Sequence, residues 1–348
     1  MRKILMRFFL LMQLCFIGKG AFASTDRASD FPPPLSTIDF QLSQATHDFS
    51  IAQKMFNPWY GGPLMTPGAH NAPPGTCVVQ PYVFTTQAFG QFNEKGKRIP
   101  TSKTWTINPL YIFQMGVLSW LDFACKVQGV YRKQGAQDFF YWGDAAIYFG
   151  IQLMRETPYR PAIRLSLSES FPTGKYQKLN PDKKGMDATG SGAYTTTLSL
   201  NASKVIWWLL NHPFAFRASL NYSFPEKTRV RGYHAYGGGI GTKGSMHLGN
   251  AVAVDTSVEF SVTQKWVIAV DLAYTYGSES TFSGRIGKSE LDPICHLKIP
   301  SNESLSCSPA LQYNFSDHFG CLAGVWFPLK GKNTTAFLSG VFTLYYSW

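Results

Sequence analysis

Residues 248–277 read LGNAVAVDTSVEFSVTQKWVIAVDLAYTYG, and they decide the fold. Leu248, Val252, Val254, Thr256, Val258, Phe260 and Val262 fall on even positions, with Ala251, Ala253, Asp255, Ser257, Glu259 and Ser261 between them. A period of two marks a strand with one apolar and one polar face, and this run is longer than most soluble strands. After Thr263-Gln264-Lys265 the alternation resumes in Trp266, Ile268, Val270, Leu272, Tyr274 and Tyr276, opposed by Asp271, Ala273 and Thr275. Two long strands joined by a tight turn form a hairpin. One stripe suits lipid; the other, small and polar, suits a watery interior.

The same pattern recurs around it. Leu121, Phe123, Cys125, Val127 and Tyr131 alternate with Asp122, Lys126, Gln128 and Arg132, and Phe214 to Phe224 alternates with Arg217, Ser219, Asn221 and Ser223. The chain ends on Ala336, Leu338, Gly340, Phe342, Leu344, Tyr346 and Trp348. About twelve strands are expected, near 78–90, 104–114, 119–132, 142–154, 161–171, 192–203, 213–224, 247–262, 265–277, 308–315, 319–328 and 335–348. Short connections follow the second, fourth, eighth and tenth strands, and mostly long ones follow the odd strands. That rhythm predicts an all-β, transmembrane, antiparallel up-and-down barrel. The sixth connection departs from it, since 204–212 is apolar: either Trp207 and Trp208 sit at a membrane interface, or the sixth strand runs through them.

Composition agrees. Only 15% of the 348 residues are charged and 15% are aromatic, whereas an ordinary soluble domain carries about 25% charge. No run approaches the ~20 apolar residues of a transmembrane helix. A disordered chain would not carry so many aromatics.

Arg2, Lys3 and Arg7 precede an apolar run from Phe8 to Ile17, and Ala21-Phe22-Ala23 has the small-x-small pattern of a cleavage site. Residues 1–23 are therefore expected to be a signal peptide that exports the chain. Residues 24–76, broken by Pro32-Pro33-Pro34 and the Pro/Gly-rich run 58–74, are expected to be an irregular periplasmic or plug-like extension with a short amphipathic helix near 40–56. The barrel is expected over 77–348.

After removal of the leader five cysteines remain, a poor disulfide framework, and no pair has zinc-ligand spacing. Cys295 and Cys307 could bridge within one loop in an oxidising compartment. No metal, cofactor or catalytic group is expected. The formal charge of +11 falls to +7 with the leader, and the cations concentrate in the long connections, in Lys95, Lys97, Arg98 and Lys103 and in Lys227, Arg229, Arg231 and Lys243. Dispersed over loops, they suit lipopolysaccharide phosphates or a funnel for anionic solutes, and they lack a nucleic-acid recognition motif. The inward stripe carries Asp122, Lys126, Arg164, Arg217, Asp255, Glu259 and Asp271. These charges either pair to hold the wall or line a selective path, and the small residues between them leave room for a narrow passage or an inserted N-terminal segment.

Three stretches carry a resemblance. Residues 61–84 read GGPLMTPGAHNAPPGTCVVQPYVF, residues 142–150 read WGDAAIYFG, and residues 165–176 read LSLSESFPTGKY. They are similar to the opening segment, a Gly-Asp strand and a strand ending in Pro-Thr-Gly-x-Tyr in the outer-membrane family named for the MetA-pathway of phenol degradation. The resemblance implies an outer-membrane barrel for passage of small, often hydrophobic or aromatic, compounds. Trp348 at the terminus resembles the signal read by the barrel-assembly machinery. Pro172-Thr173-Gly174 also has a purely structural reading, a turn in which Pro fixes φ and Gly frees it.

Three functions follow. A small-molecule channel in the bacterial outer membrane is the leading expectation. A surface-contact barrel using its basic loops is the alternative. A Ser/His hydrolase is disfavoured: His247 with Ser245 is the nearest candidate pair, but it lies at a loop edge, and no orienting partner is evident.

Overall fold

The computed structural model describes residues 36, 39–44, 46–47, 58–183, 185–206, 212–288 and 298–348. Met1–Lys54 and Met55–Trp348 are separate units. In the first, 39–44 is helical, as is 46–47, within the stretch where a helix is expected. The signal peptide and residues 48–57 lie outside the described residues.

The second unit is built of strands: β1 (Cys77–Phe92), β2 (Arg98–Leu118), β3 (Leu121–Gln134), β4 (Gln137–Trp142), β5 (Ala145–Met154), β6 (Ala162–Phe171), β7 (Thr195–Ile206), β8 (Phe214–Pro225), β9 (Thr228–Arg231), β10 (Lys243–His247), β11 (Ala251–Ser261), β12 (Trp266–Gly277), β13 (Thr281–Arg285), β14 (Asn302–Asn314), β15 (Phe319–Lys332) and β16 (Thr334–Ser347). Twelve of them form a closed antiparallel barrel: β1, β2, β3, β5, β6, β7, β8, β11, β12, β14, β15 and β16, with β16 returning to β1. The seam is sealed at its end, where Cys77 and Trp348 exchange backbone N–H···O bonds of 2.9 and 3.0 Å.

Closure and patterning have one cause. A strand in hydrocarbon cannot leave backbone N–H and C=O groups unpaired, so the sheet must return on itself and present apolar side chains outward. In β12, Val267, Ala269, Asp271 and Ala273 are buried while Trp266, Ile268 and Val270 stand exposed on the outside. Paired residues of neighbouring strands share a face, so the register carries this division around the wall: Ser257, Asp271 and Ser308 lie side by side facing in. At the end with the short turns, Trp266, Tyr313, Phe315, Phe319, Tyr346 and Trp348 form a chain of ring contacts, with successive centroids 4.6 to 6.3 Å apart. Such girdles of amphipathic rings sit where hydrocarbon meets water.

The strand count matches expectation, and several boundaries do not. The connection expected over 91–103 shrinks to 93–97, that over 329–334 to a single residue, Asn333, and β14 begins at Asn302 rather than 308. The stretch 133–141 is not a loop but the hairpin of β3 and β4, turned at Gly135. In each case the strands continue past the apolar band, where neither face needs to be apolar and the alternation fades. β7, expected as the sixth strand, is described as far as Ile206; Trp207 and Trp208, on which both readings of that connection turn, lie outside the described residues.

β4 and β5 both pair with β3 and are two halves of one kinked wall strand, parted at Gly143-Asp144. On the loop side, β9, β10 and β13 make a small three-stranded sheet from the connections 226–250 and 278–301. The connection 172–194 is tied to it, with Leu179 N donating to Tyr233 O at 3.0 Å and Ala235 N to Tyr176 O at 2.7 Å. Leu179, Met186, Val230 and Met246 are buried, so these loops form an ordered cap.

Candidate functional site

Residues 59–74 lack any periodicity that would place them in a sheet, and they are rich in Gly and Pro. Their backbone donors and acceptors must therefore be satisfied by something other than a ladder. The barrel interior satisfies them. The segment crosses the lumen as a strap, from β14 on one side to β5, β3 and β2 on the other.

At its start, Trp59 O accepts hydrogen bonds from Gln312 Nε2 (3.1 Å) and Asn314 Nδ2 (2.6 Å). Gly61 lies against Tyr345, and a Cβ there would come within 2.1 Å of the ring, so only glycine fits. At mid-lumen the Asp271 carboxylate accepts four bonds: from Leu64 N (3.1 Å) and Met65 N (3.3 Å) on Oδ2, and from Thr66 N (2.9 Å) and Thr66 Oγ1 (2.7 Å) on Oδ1. Leu64 packs with Ala269, Ala310, Leu322, Val341 and Tyr345 into a small apolar cluster inside the barrel. Further on, Ala69 N donates to Ser203 Oγ and Asn71 N to Gln152 Oε1, while Gln152 Nε2 donates back to Ala69 O. The strap ends beside Gly116, where an added Cβ would lie 2.0 Å from Pro73 O.

The seven charges expected on the inward stripe all face the interior, and the structure separates them by use. Arg164 pairs with Asp122 at 2.5 Å, and its Nε donates to Asn71 Oδ1 of the strap at 2.8 Å. Asp122 also receives Gln114 Nε2 (2.6 Å). Arg217 pairs with Glu259 at 2.6 Å and lies against Gly62 and Gly68 of the strap. Asp271 is engaged by the strap alone. Among the described residues Lys126, Asp255 and Asp271 of the seven make no ion pair; Asp255 accepts a bond from Asn221 Nδ2 (3.1 Å). Buried charges are retained when paired or fully hydrogen-bonded: four of the seven pair across the wall, and Asp271 is held by four hydrogen bonds from the strap.

The lumen has two unlike walls, one of which packs at the level of the strap against the Leu64 cluster. On β1, β15 and β16, Tyr82, Phe84, Trp326 and Phe337 make a ladder of ring contacts 4.7 to 6.4 Å apart, with Trp326 Nε1 donating to Ser306 Oγ. On β6, β7, β8 and β11 the inward residues include Ser166, Thr197, Ser199, Asn201, Ser219 and Asn221, several bonded to one another.

The cap is attached where two of the quoted motifs meet. The Thr173 hydroxyl donates to Gly143 O (2.8 Å) and accepts from Ala145 N (2.9 Å), and the Asp144 carboxylate accepts from Gly174 N (2.9 Å), Ser191 N (2.7 Å) and Ser191 Oγ (2.8 Å). Arg132 Nη1 donates to Ala188 O (2.5 Å). The Pro-Thr-Gly corner is thus a structural clamp. Sequence reading saw both motifs and missed their partnership, because nothing along the chain marks that they meet.

Cys307 has a free thiol and stands on the outward face of β14; Cys295 lies outside the described residues. Ser245 and His247 lie on β10 of the cap, two residues apart in its pairing with β13. Among the described residues no group of three His, Cys, Asp or Glu side chains could hold a metal ion.

The wall resembles known barrels. The crystal structure of an outer membrane channel from Pseudomonas putida F1 aligns with a TM-score of 0.61 and 13% identity, over 82% of this chain and 100% of that one. What they share is the fold. The translocator domain of the autotransporter NalP from Neisseria meningitidis aligns at 0.41 (11% identity, 89% of this chain and 97% of that one). A mutant of the TodX monoaromatic hydrocarbon channel aligns at 0.42 (12% identity, 79% and 91%). No protein-family model and no curated protein matches the chain, so the likeness to the phenol-degradation family rests on the quoted motifs.

Proposed function

We propose that the chain is a bacterial outer-membrane channel for small solutes, exported by its signal peptide, whose turn-side half is narrowed by its own N-terminal strap. The observation that carries this reading is the closed twelve-strand barrel, apolar outside and lined inside with polar groups. Wall strands with lipid on one side and water on the other are built this way. The fold shared with an outer membrane channel is consistent with it.

The two-walled lumen supports a solute class. An aromatic ladder facing hydroxyls and amides suits small compounds that have both an apolar part and a polar substituent, in keeping with the passage of hydrophobic or aromatic compounds that the motif resemblance implies. Rings stack on the one wall while a hydroxyl or carboxylate exchanges its water for the Ser, Thr and Asn side chains of the other. Outside, Lys95 and Lys97 in the β1–β2 turn and Lys103 and Lys330 on strand ends make no ion pair among the described residues and stand beyond the apolar band, a place for lipopolysaccharide phosphates. The terminal Trp348 suits recognition by the barrel-assembly machinery.

Liposome swelling tests the reading. Vesicles holding the refolded mature chain should admit benzyl alcohol or phenol derivatives faster than sugars of equal size, and Trp326→Ala should remove the preference. Equal rates for both classes, with the barrel folded, would refute the proposed selectivity.

A further inference from the structure

Arg132 stands on the inward face of β3, where its neighbours in register are Thr106 of β2 and Phe139 of β4. It is half-buried, yet among the described residues it makes no ion pair, and its one hydrogen bond is the Nη1 contact with Ala188 O. A guanidinium is always charged and carries five N–H donors in a planar fork. A partly desolvated cation without a counter-charge is costly, so proteins pair such groups. Most of this fork is left for a group from outside the chain.

The unused donors face a cavity. A space of about 360 Å³ lies between β3 and the cap, lined by Arg132, Asp144, Ala188, Thr189, Ser191 and Ala235, and it opens to solvent at Gly185 and Ala235, both exposed. The hydroxyl hydrogens of the lining are spent within the cap, with Thr189 Oγ1 donating to Trp142 O (2.8 Å) and Ser191 Oγ to Asp144 Oδ2 (2.8 Å). Arg132 is thus the one side chain of the lining with donors to spare among the described residues. Its fork matches the two oxygens of a carboxylate, bound side by side. The Asp144 carboxylate on the same wall, held by Gly174 N and Ser191 N, repels a phosphate dianion more than a monocarboxylate. The volume lies at the small end of ligand cavities, with room for an acid the size of benzoate.

We propose that this cavity binds the carboxylate of small organic acids, with Arg132 as the anchor and the cap as the roof. The site deepens the channel reading, on which it rests for the solute's onward passage, by giving the solute's polar substituent a definite chemistry. The approach is positive: Lys183 lies over the ring of Phe139, the neighbour of Arg132, at 4.3 Å from its centroid. Further along β3, about 20 Å from Arg132 at the rise of a strand, Lys126 faces the lumen, the next cation on that strand that a departing acid meets.

Saturation-transfer NMR of benzoate with the refolded mature chain in micelles, read against protein-free micelles, tests the site. Benzoate should bind, acetate should displace it and inorganic phosphate should not, and benzyl alcohol, of like size without the charge, should give about a tenfold smaller effect. Arg132→Gln should weaken benzoate binding about tenfold, and Arg132→Lys by less, because a lysine keeps the charge and loses the fork. Heat-modifiable migration and limited proteolysis of 172–194 show whether barrel and cap stay formed, since Arg132 also holds Ala188. Ala235→Phe takes up the cavity while leaving that bond in place, and it should cost as much as Arg132→Gln; it alone decides if Arg132→Gln opens the cap. Benzyl alcohol binding as benzoate does, phosphate displacing benzoate as readily as acetate, or variants with an intact cap that bind as the parent does would overturn the site. Liposome swelling separates the two readings. Benzoate bound but admitted no faster than into empty vesicles would support the site and count against the channel, whereas benzoate admitted without binding would overturn the site and spare the channel.

Discussion

Asp271 is where wall and strap depend on each other most. Its carboxylate accepts three backbone N–H groups and one hydroxyl, all from residues 64–66. A hydrogen bond to a charged group contributes about 1.5–3 kcal/mol, and removing the acceptor leaves buried donors unpaired. Asp271→Ala should therefore release the strap at mid-lumen while the barrel stays closed. A cysteine placed at Met65 should then react several-fold faster with a water-soluble thiol reagent; an unchanged rate would show that the other contacts suffice. Gly61→Val, which cannot fit against the Tyr345 ring, should expel the start of the strap by the same measure. That Asp271 faces inward was legible from the period of two alone. Its partner was not, because a Gly/Pro-rich segment has no periodicity and hydrogen-bonds through its backbone, which the sequence does not label. The bland reading of the seven inward charges, pairing, fits four of them; Asp271 is held by the strap's hydrogen bonds, and Lys126 and Asp255 make no ion pair among the described residues.

At the scale of elements, the cap hangs on the kink between β4 and β5. Asp144 gathers Gly174 and Ser191 from the connection 172–194, and Gly174 has no space for a side chain because Gly190 touches it. Asp144→Ala should leave the barrel intact and make that connection sensitive to limited proteolysis, with a cut between β6 and β7. The cap also carries a pH dependence. His234, in the connection between β9 and β10, is buried, and burial lowers its pKa to about 4, against an ordinary value near 6.5. The opened cap therefore takes up a proton before the closed one does, so the cap is fully stable above about pH 6.5 and loses stability as pH falls toward 4. Hydrogen exchange in 226–247 should accelerate from pH 7 to pH 4.5 beyond the intrinsic pH effect, and His234→Gln should flatten that change. Element types were readable where the apolar band imposes alternation. The extensions of β1, β2, β14 and β15 beyond the band, and the cap sheet of β9, β10 and β13, were missed because no lipid face sorts their side chains.

For the whole molecule, one physical demand accounts for most of what is seen. Backbone groups in hydrocarbon must be paired, so twelve strands close with β16 on β1, apolar residues turn outward, and aromatic rings collect at the turn-side rim. A barrel of this size has an interior to fill or to leave open, and this chain does both. The strap and the paired charges Asp122–Arg164 and Arg217–Glu259 fill the level of Asp271 and Asp122, and the aromatic wall packs against the strap's Leu64 while the hydroxyl and amide wall faces it. The resulting account is a channel narrowed by its own N-terminal segment. The most direct measurement is the single-channel conductance of the refolded mature chain compared with a chain lacking residues 59–73, both shown to be folded by heat-modifiable migration. The account predicts conductance several-fold larger without the strap. Equal conductance for the two chains would contradict it.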